Sequence, residues 1–273
     1  MKNVIKNILL VSLMILAISS LRASPALAAK TRYCDTSTEL TAYVLQMTGD
    51  REAYITVSVP NGLPEADMSG YDLLKSILKL DRGYIRWNHR RTAYTKIKSD
   101  PSTTTFAYEL WYHSTKEQDK EARGSAQAKV SKMNIQDLSD AEKIDRLRAY
   151  ISENWRYDVT LKNITALQTL KSGKGTCLGL SMASQLLLDA MGVESQGIQG
   201  KIAKTGEIHL GLLVKLDQMW YTFDPTDLAQ ERPRMERYLK NSYDGTFIPN
   251  EEFLTESFQR AHPMTAAADE VFC

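Results

Sequence analysis

The sequence predicts an α+β protein, and three stretches carry the prediction. Residues 53–60 read AYITVSVP, and residues 103–112 alternate in the same way, which is the period of a half-buried strand. Residues 139–155 open with a helix-start signal and keep one apolar stripe. From Cys177 a nearly all-apolar helix runs to Met191, ahead of two strand patterns that fold back on each other between His209 and Asp224. The 273 residues allow one large domain or two small ones. At 43% hydrophobic and 25% charged, the chain has ordinary globular composition. A net charge of +1, from 34 basic and 33 acidic residues, excludes the basic excess of a general nucleic-acid binder.

Residues 1–28 read as a secretory signal peptide. Lys2 and Lys6 give the positive start, Ile8 to Leu21 is apolar, and Ala26-Leu27-Ala28 is a small-x-small cleavage site. The apolar run is short for a membrane span, and no second one follows. The expected product is secreted or held in the cell envelope, with no membrane span after cleavage. Three cysteines remain: Cys34, Cys177 and Cys273. In an oxidising compartment an odd count suggests one pair and one free thiol. Cys34 with Cys273 is the candidate disulfide, the alternative being two free terminal thiols, and in either case Cys177 is the odd one.

Residues 29–135 are expected to form a β-rich N-terminal domain. Asn61-Gly62-Leu63-Pro64 is a turn, and Met68 to Leu80 has helix spacing through Leu73, Leu74, Ile77 and Leu78. Tyr84, Tyr94, Ile97, Phe106, Tyr108, Leu110 and Tyr112 are assigned to two or three further strands. Lys116 to Arg123 is charged, and helical or loop. No catalytic residue types gather here, and His89 and His113 read as surface or strand residues. Ser139 and Glu142 form a capping box ahead of a helix with Ile144, Leu147, Ile151 and Trp155 on one stripe. A second domain is expected over 136–273, with residues 228–273 wrapping back over it.

Cys177 follows Gly173 and Gly175 at a helix start. Unpaired N–H groups and the helix dipole there favour a thiolate. The two glycines are expected to leave room for a substrate backbone. A hairpin centred on Asp217-Gln218 pairs Leu216 with Met219, Leu213 with Thr222 and Gly211 with Asp224. His209 and Asp224 then share one sheet face as diagonal neighbours. Leu210, Leu212, Val214 and Leu216 face the other way, toward a core. A helix start packed on the His209 face would complete a nucleophile, a base and an orienting carboxylate. Each residue alone has a plainer reading, as a buried cysteine, a strand-end histidine and a turn cap. Cys177 and His209 have no metal-ligand spacing with a third Cys or His, and Gly173-Lys174-Gly175-Thr176 is too short for a phosphate loop. Neither metal nor cofactor is expected.

With these residues in order, the chain resembles the transglutaminase-like superfamily of papain-type cysteine enzymes. The likeness runs from about Ala141 to Asp227. It rests on Tyr157-Asp158, Gly175-Thr176-Cys177-Leu178-Gly179, Ala190-Met191-Gly192-Val193, His209, Val214-Lys215-Leu216-Asp217, Trp220-Tyr221 and Asp224-Pro225-Thr226. The resemblance implies a papain-like core, a central helix on an antiparallel sheet. It implies Cys177 as nucleophile, His209 as base and Asp224 as its partner, with Tyr157 or Trp155 as a candidate oxyanion donor. Leu210-Gly211-Leu212 and Leu180 replace aromatic residues found in many relatives, which touches the cleft lining. The expected chemistry is cleavage of an amide or peptide bond in an extracellular protein or cell-wall peptide, with hydrolysis ahead of cross-linking. The alternatives are a non-catalytic binding module on the same fold, or an envelope structural protein.

Overall fold

A computed structural model describes residues 30–98, 101–230, 239–240 and 247–264. The signal-peptide segment 1–28 and Cys273, hence the expected Cys34–Cys273 pair, lie outside the described residues. In chain order the elements begin with β1 (Arg32–Tyr33), α1 (Ser37–Gly49), β2 (Tyr54–Pro60), α2 (Gly70–Leu78) and α3 (Tyr84–Asn88). Then come β3 (His89–Lys98), β4 (Thr103–Tyr112), α4 (Lys116–Val130), α5 (Asp140–Asn154), β5 (Arg156–Tyr157), α6 (Ala166–Ser172) and β6 (Lys174–Gly175). The site-bearing run is α7 (Cys177–Met191), β7 (Ser195–Ile202), β8 (Ile208–Leu216), β9 (Met219–Phe223) and α8 (Pro225–Ala229). Short pieces β10 (Leu239–Lys240), β11 (Phe247–Pro249) and α9 (Glu256–Ala261) follow. This is the expected α+β class.

The chain divides into two units. One takes the described residues up to Ile77 together with Arg90–Trp111; the other takes Leu78–His89 and the described residues from Tyr112 onward. The first holds a four-stranded sheet in the order β1-β2-β4-β3. Helix α1 was not expected from the sequence. Thr36 caps it by accepting from Glu39 N–H, but its buried stripe is Leu40, Val44 and Thr48. A threonine in the third place, its hydroxyl turned back to Val44 O at 2.8 Å, weakens the apolar signal.

The division does not fall at the expected position 135. Tyr84 lies in a helix rather than a strand, because Gly83 turns with φ 102° and Asp81 accepts from the N–H groups of Gly83 and Ile85. Tyr84, Ala122, Ala126 and Val130 then join the same core as Ile144, Leu147, Ile151 and Trp155. α4 is held to that core by an alanine stripe, which hydrophobic periodicity reads poorly in a charged segment.

In the second unit a five-stranded sheet runs β10-β9-β8-β7-β11, with its four pairings all antiparallel. α7 packs on one face, against Leu212, Val214, Leu216, Tyr221 and Phe223. On the opposite face Leu213 packs with Ile198, Trp220 and Phe253. The β8–β9 register is the expected one: Leu216 opposes Met219, Leu213 opposes Thr222, and the ladder ends at Leu212 with Phe223.

Two helical glycines should respond with opposite signs. A methyl at exposed Gly124 of α4 meets nothing, so Gly124→Ala should raise stability by about 0.5–1 kcal/mol. At Gly179 of α7 a Cβ would lie 2.6 Å from Asn163 O and 2.7 Å from Thr169 Oγ1. Gly179→Ala should therefore cost about 1–3 kcal/mol in urea unfolding.

Candidate active site

Cys177 is the first residue of α7. Thr176 caps the helix, accepting from Gly179 N–H, and its own N–H donates to Asn163 O at 2.9 Å. Asn163 is in turn held by Asp158. That carboxylate accepts from Thr160 Oγ1 at 2.6 Å and from the N–H groups of Thr160, Lys162 and Asn163. The Thr160 hydroxyl and these backbone donors pull the Asp158 pKa down to about 2. The loop after β5 is thus a rigid stop against the start of α7. Gly173 and Gly175 do not leave space for a substrate, contrary to the expectation from sequence. A Cβ on Gly173, whose φ is 68°, would lie 2.6 Å from Asn154 O, and one on Gly175 would lie 2.4 Å from Thr169 Oγ1. Both glycines make room for the protein's own chain.

His209 is the second residue of β8 and is mostly buried. Its Nε2–H donates to Asp224 Oδ2 at 2.7 Å. Asp224 follows the last residue of β9 and caps α8, its Oδ1 accepting from Thr226 N–H at 2.8 Å. With Nε2 so engaged, Nδ1 is left for the Cys177 thiol, to which the ring is hydrogen-bonded. His209 faces Phe247 edge-on, with ring centroids 6.0 Å apart.

The expectation that α7 packs on the His209 face is corrected. α7 covers the opposite face, and the thiol reaches His209 from beyond the end of β9. Past Leu212 the edge of β8 has lost its neighbour. Leu210 N–H donates to the Cys177 sulfur, and Leu210 O accepts from Ser181 Oγ at 2.9 Å. Cys177 and Ser181 are one helical turn apart, so they meet both orphan groups of one strand residue.

The charges follow from these contacts. Burial alone would raise the Cys177 thiol. The hydrogen bond from His209, the N–H groups of Leu210 and Leu178, and the imidazolium charge overcome it and hold the pKa below the ordinary 9.0. Burial would lower His209. Its hydrogen bonds to Asp224 and Cys177, with their negative charges, overcome that and raise it to about 10. Asp224 is held below its ordinary value by His209 and the α8 N–H groups, against the cost of burial. Each of the three shifts favours the charged form of its group: thiolate, imidazolium and carboxylate.

Of the two oxyanion candidates, Tyr157 lies within electrostatic reach of Cys177: burial raises its pKa first, then the thiolate, Glu207 and Asp158. Trp155 is only 1% exposed, packed in the core and edge-on to Tyr150. Its place at the end of the α5 stripe makes it a core residue. Leu210 and Ser181 were missed as site residues. Ser181 carried a signal, as a hydroxyl one turn after Cys177 in an apolar helix. Among the described residues no group of three or more His, Cys, Asp or Glu is placed to hold a metal ion.

Cys177 at a helix start, His209 on an antiparallel sheet and the Asp224 carboxylate thus lie in one hydrogen-bonded row. Residues 127–225 match the family model of the transglutaminase-like superfamily. No curated protein sequence matches the chain. Among solved structures it is similar to a TGase at 12% identity, covering 77% of this chain and 62% of that one, with a TM-score of 0.38. It is similar to a provisionally assigned cysteine protease from Cytophaga hutchinsonii at 12% identity, 58% and 65% coverage and a TM-score of 0.37. The periplasmic domain of TgpA from Pseudomonas aeruginosa, bound to ethylmercury, matches at 15% identity, 50% and 65% coverage and a TM-score of 0.32. The chain therefore spans less than two thirds of each of these relatives.

Two stability measurements check this geometry. Ser181→Ala leaves Leu210 O buried without a partner and should cost about 1–3 kcal/mol in chemical unfolding. His209 has a folded pKa raised from 6.5 to about 10, so its contribution is complete below 6.5 and lost as pH rises through 10. Melting temperatures between pH 7 and 11 should show that loss in wild type and not in His209→Gln.

Proposed function

We propose that the protein is an extracytoplasmic cysteine enzyme that cleaves amide or peptide bonds, with Cys177 as nucleophile, His209 as acid and base, and Asp224 as its orienting partner. The observation that carries this reading is His209 bonded to Cys177 on one side and to Asp224, at 2.7 Å, on the other. That geometry fixes the tautomer and pre-forms the thiolate.

The Cys177 thiolate adds to the substrate carbonyl carbon, and the C=O electron pair moves onto oxygen. Tyr157 is the candidate donor to that oxyanion. As the tetrahedral adduct collapses, the C–N bond breaks and imidazolium His209 gives its proton to the departing amine. A thioester and a neutral imidazole remain. Water then attacks the thioester, His209 takes its proton, and the acid leaves as the thiolate returns. Water is the default acceptor, so hydrolysis is preferred to transfer. Extracellular protein or cell-wall peptide is the substrate class. Secretion rests on the pattern in residues 1–28, and no helix among the described residues is long and apolar enough to cross a membrane.

The test is iodoacetamide alkylation of Cys177 against pH, with Cys34 and Cys273 followed by mass spectrometry. Wild type should have a midpoint below 9.0. At pH 6 His209→Ala should react about tenfold or more slowly, its midpoint moved back to that of an ordinary thiol. Asp224→Asn should keep the fold and lose about a hundredfold or more in turnover of any substrate found. A wild-type profile like that of a free thiol, unmoved by His209→Ala, would overturn the reading in favour of a binding module.

A further inference from the structure

Three exposed apolar side chains that the core does not use stand on the two segments next to the thiol site. Among the described residues, Val159 at 82% and Ile208 at 70% are the two most exposed large apolar side chains, and Leu161 is 61% exposed. All three stand on segments that adjoin the site. Val159 and Leu161 stand on the loop that Asp158 rigidifies, and that loop bonds directly to the start of α7 through Asp158 N–H to Gly175 O and Thr176 N–H to Asn163 O, both 2.9 Å. Ile208 precedes His209 on β8. Strand alternation turns it to the face of Leu212 and Val214, the face on which α7 begins. Tyr157, at the start of this loop, senses both Cys177 and Glu207, the neighbour of Ile208, which puts the loop and the end of β8 in one neighbourhood.

The backbone supports a recognition role. Leu161 has φ 56°, a left-handed conformation that a leucine adopts at a cost. Its N–H donates to Asp158 O at 3.1 Å, and the following N–H groups go to the Asp158 carboxylate. The turn would be easier with asparagine or glycine, yet it holds an apolar side chain in solvent beside a nucleophile.

Building on the enzyme reading above, we infer that the Val159–Leu161 loop and Ile208 form the specificity rim of the site, selecting acyl donors that are extended peptides with a large aliphatic or aromatic side chain near the attacked carbonyl. Among the two substrate classes, this favours apolar stretches of protein over cell-wall peptides of small and charged residues. Covering an exposed apolar patch removes it from water in proportion to the area covered, which supplies the preference.

The test compares two irreversible peptidyl ketones, acetyl-Leu-Gly-chloromethyl ketone and acetyl-Ser-Gly-chloromethyl ketone, by their second-order rates of Cys177 alkylation. They are measured on the full chain at pH 7 and at pH 9. Wild type should react about tenfold faster with the leucine probe. In Val159→Ser/Leu161→Asn/Ile208→Thr the ratio should fall to about one or two, while iodoacetamide alkylation and the melting temperature stay near wild type. The chosen residues suit the left-handed turn and the strand, so the variant keeps its fold. A wild-type ratio near one, or a tenfold ratio that survives the triple substitution, overturns the inference. The enzyme reading fails separately, through the iodoacetamide profile, because the probe ratio can be read at pH 9 on an ordinary thiol.

Discussion

The site depends on a proline that stops a strand. In the register of β8 and β9 the residue opposite Leu210 would be Pro225. Proline has no N–H to give to a ladder. The ladder ends at Phe223, Asp224 turns to cap α8, and Leu210 keeps an N–H and a C=O that no strand satisfies. Unpaired buried backbone groups are costly, so something must meet them. The start of α7 does, with the Cys177 sulfur on the N–H and the Ser181 hydroxyl on the C=O. One local event frees the strand edge, docks the helix start against it, and leaves a carboxylate within 2.7 Å of His209.

Much of this was legible in the sequence because it depends on period and register. Counting outward from Asp217-Gln218 places His209 and Asp224 on one face, and the observed ladder follows that count. The α5 stripe was visible because Ile144, Leu147, Ile151 and Trp155 are large and regularly spaced. What was hidden depends on small or polar groups. α4 packs through Ala122, Ala126 and Val130 under a charged surface, so its membership in the second unit has no strong hydrophobic signal. α1 keeps a threonine in its buried stripe. The side of the sheet taken by α7 was misread because His209 and Asp224 were assumed to define the face on which the thiol arrives. Neighbouring strands hide the alternative, in which a side chain approaches through the sheet edge.

The loop between β5 and α6 shows how a carboxylate remote from Cys177 can position its helix start. Asp158 binds four donors within five residues of itself, so the loop has little freedom. The same loop receives Thr176 N–H and closes over Gly179, where no Cβ would fit. A displacement of Asn163 therefore passes to the first turn of α7 and to the thiol. Tyr157-Asp158 belongs to the family resemblance, and its contribution here is mechanical support rather than proton transfer.

A buried ion pair is usually a poor source of stability, since desolvation can exceed the attraction. Burial opposes the charged form of all three groups in this site. The balance is reversed because each charge is met by donors or acceptors that the fold had already fixed. The thiolate takes N–H groups from Leu178 and Leu210; the carboxylate takes those of α8; the imidazolium sits between them. None of these backbone groups has to be ordered for the purpose, because the helix starts and the strand edge would carry them anyway. The structural need to satisfy orphan backbone groups and the chemical need for a low-pKa thiol are met by the same contacts. Removing Ser181 or the proline-terminated edge should therefore disturb stability and thiol reactivity together.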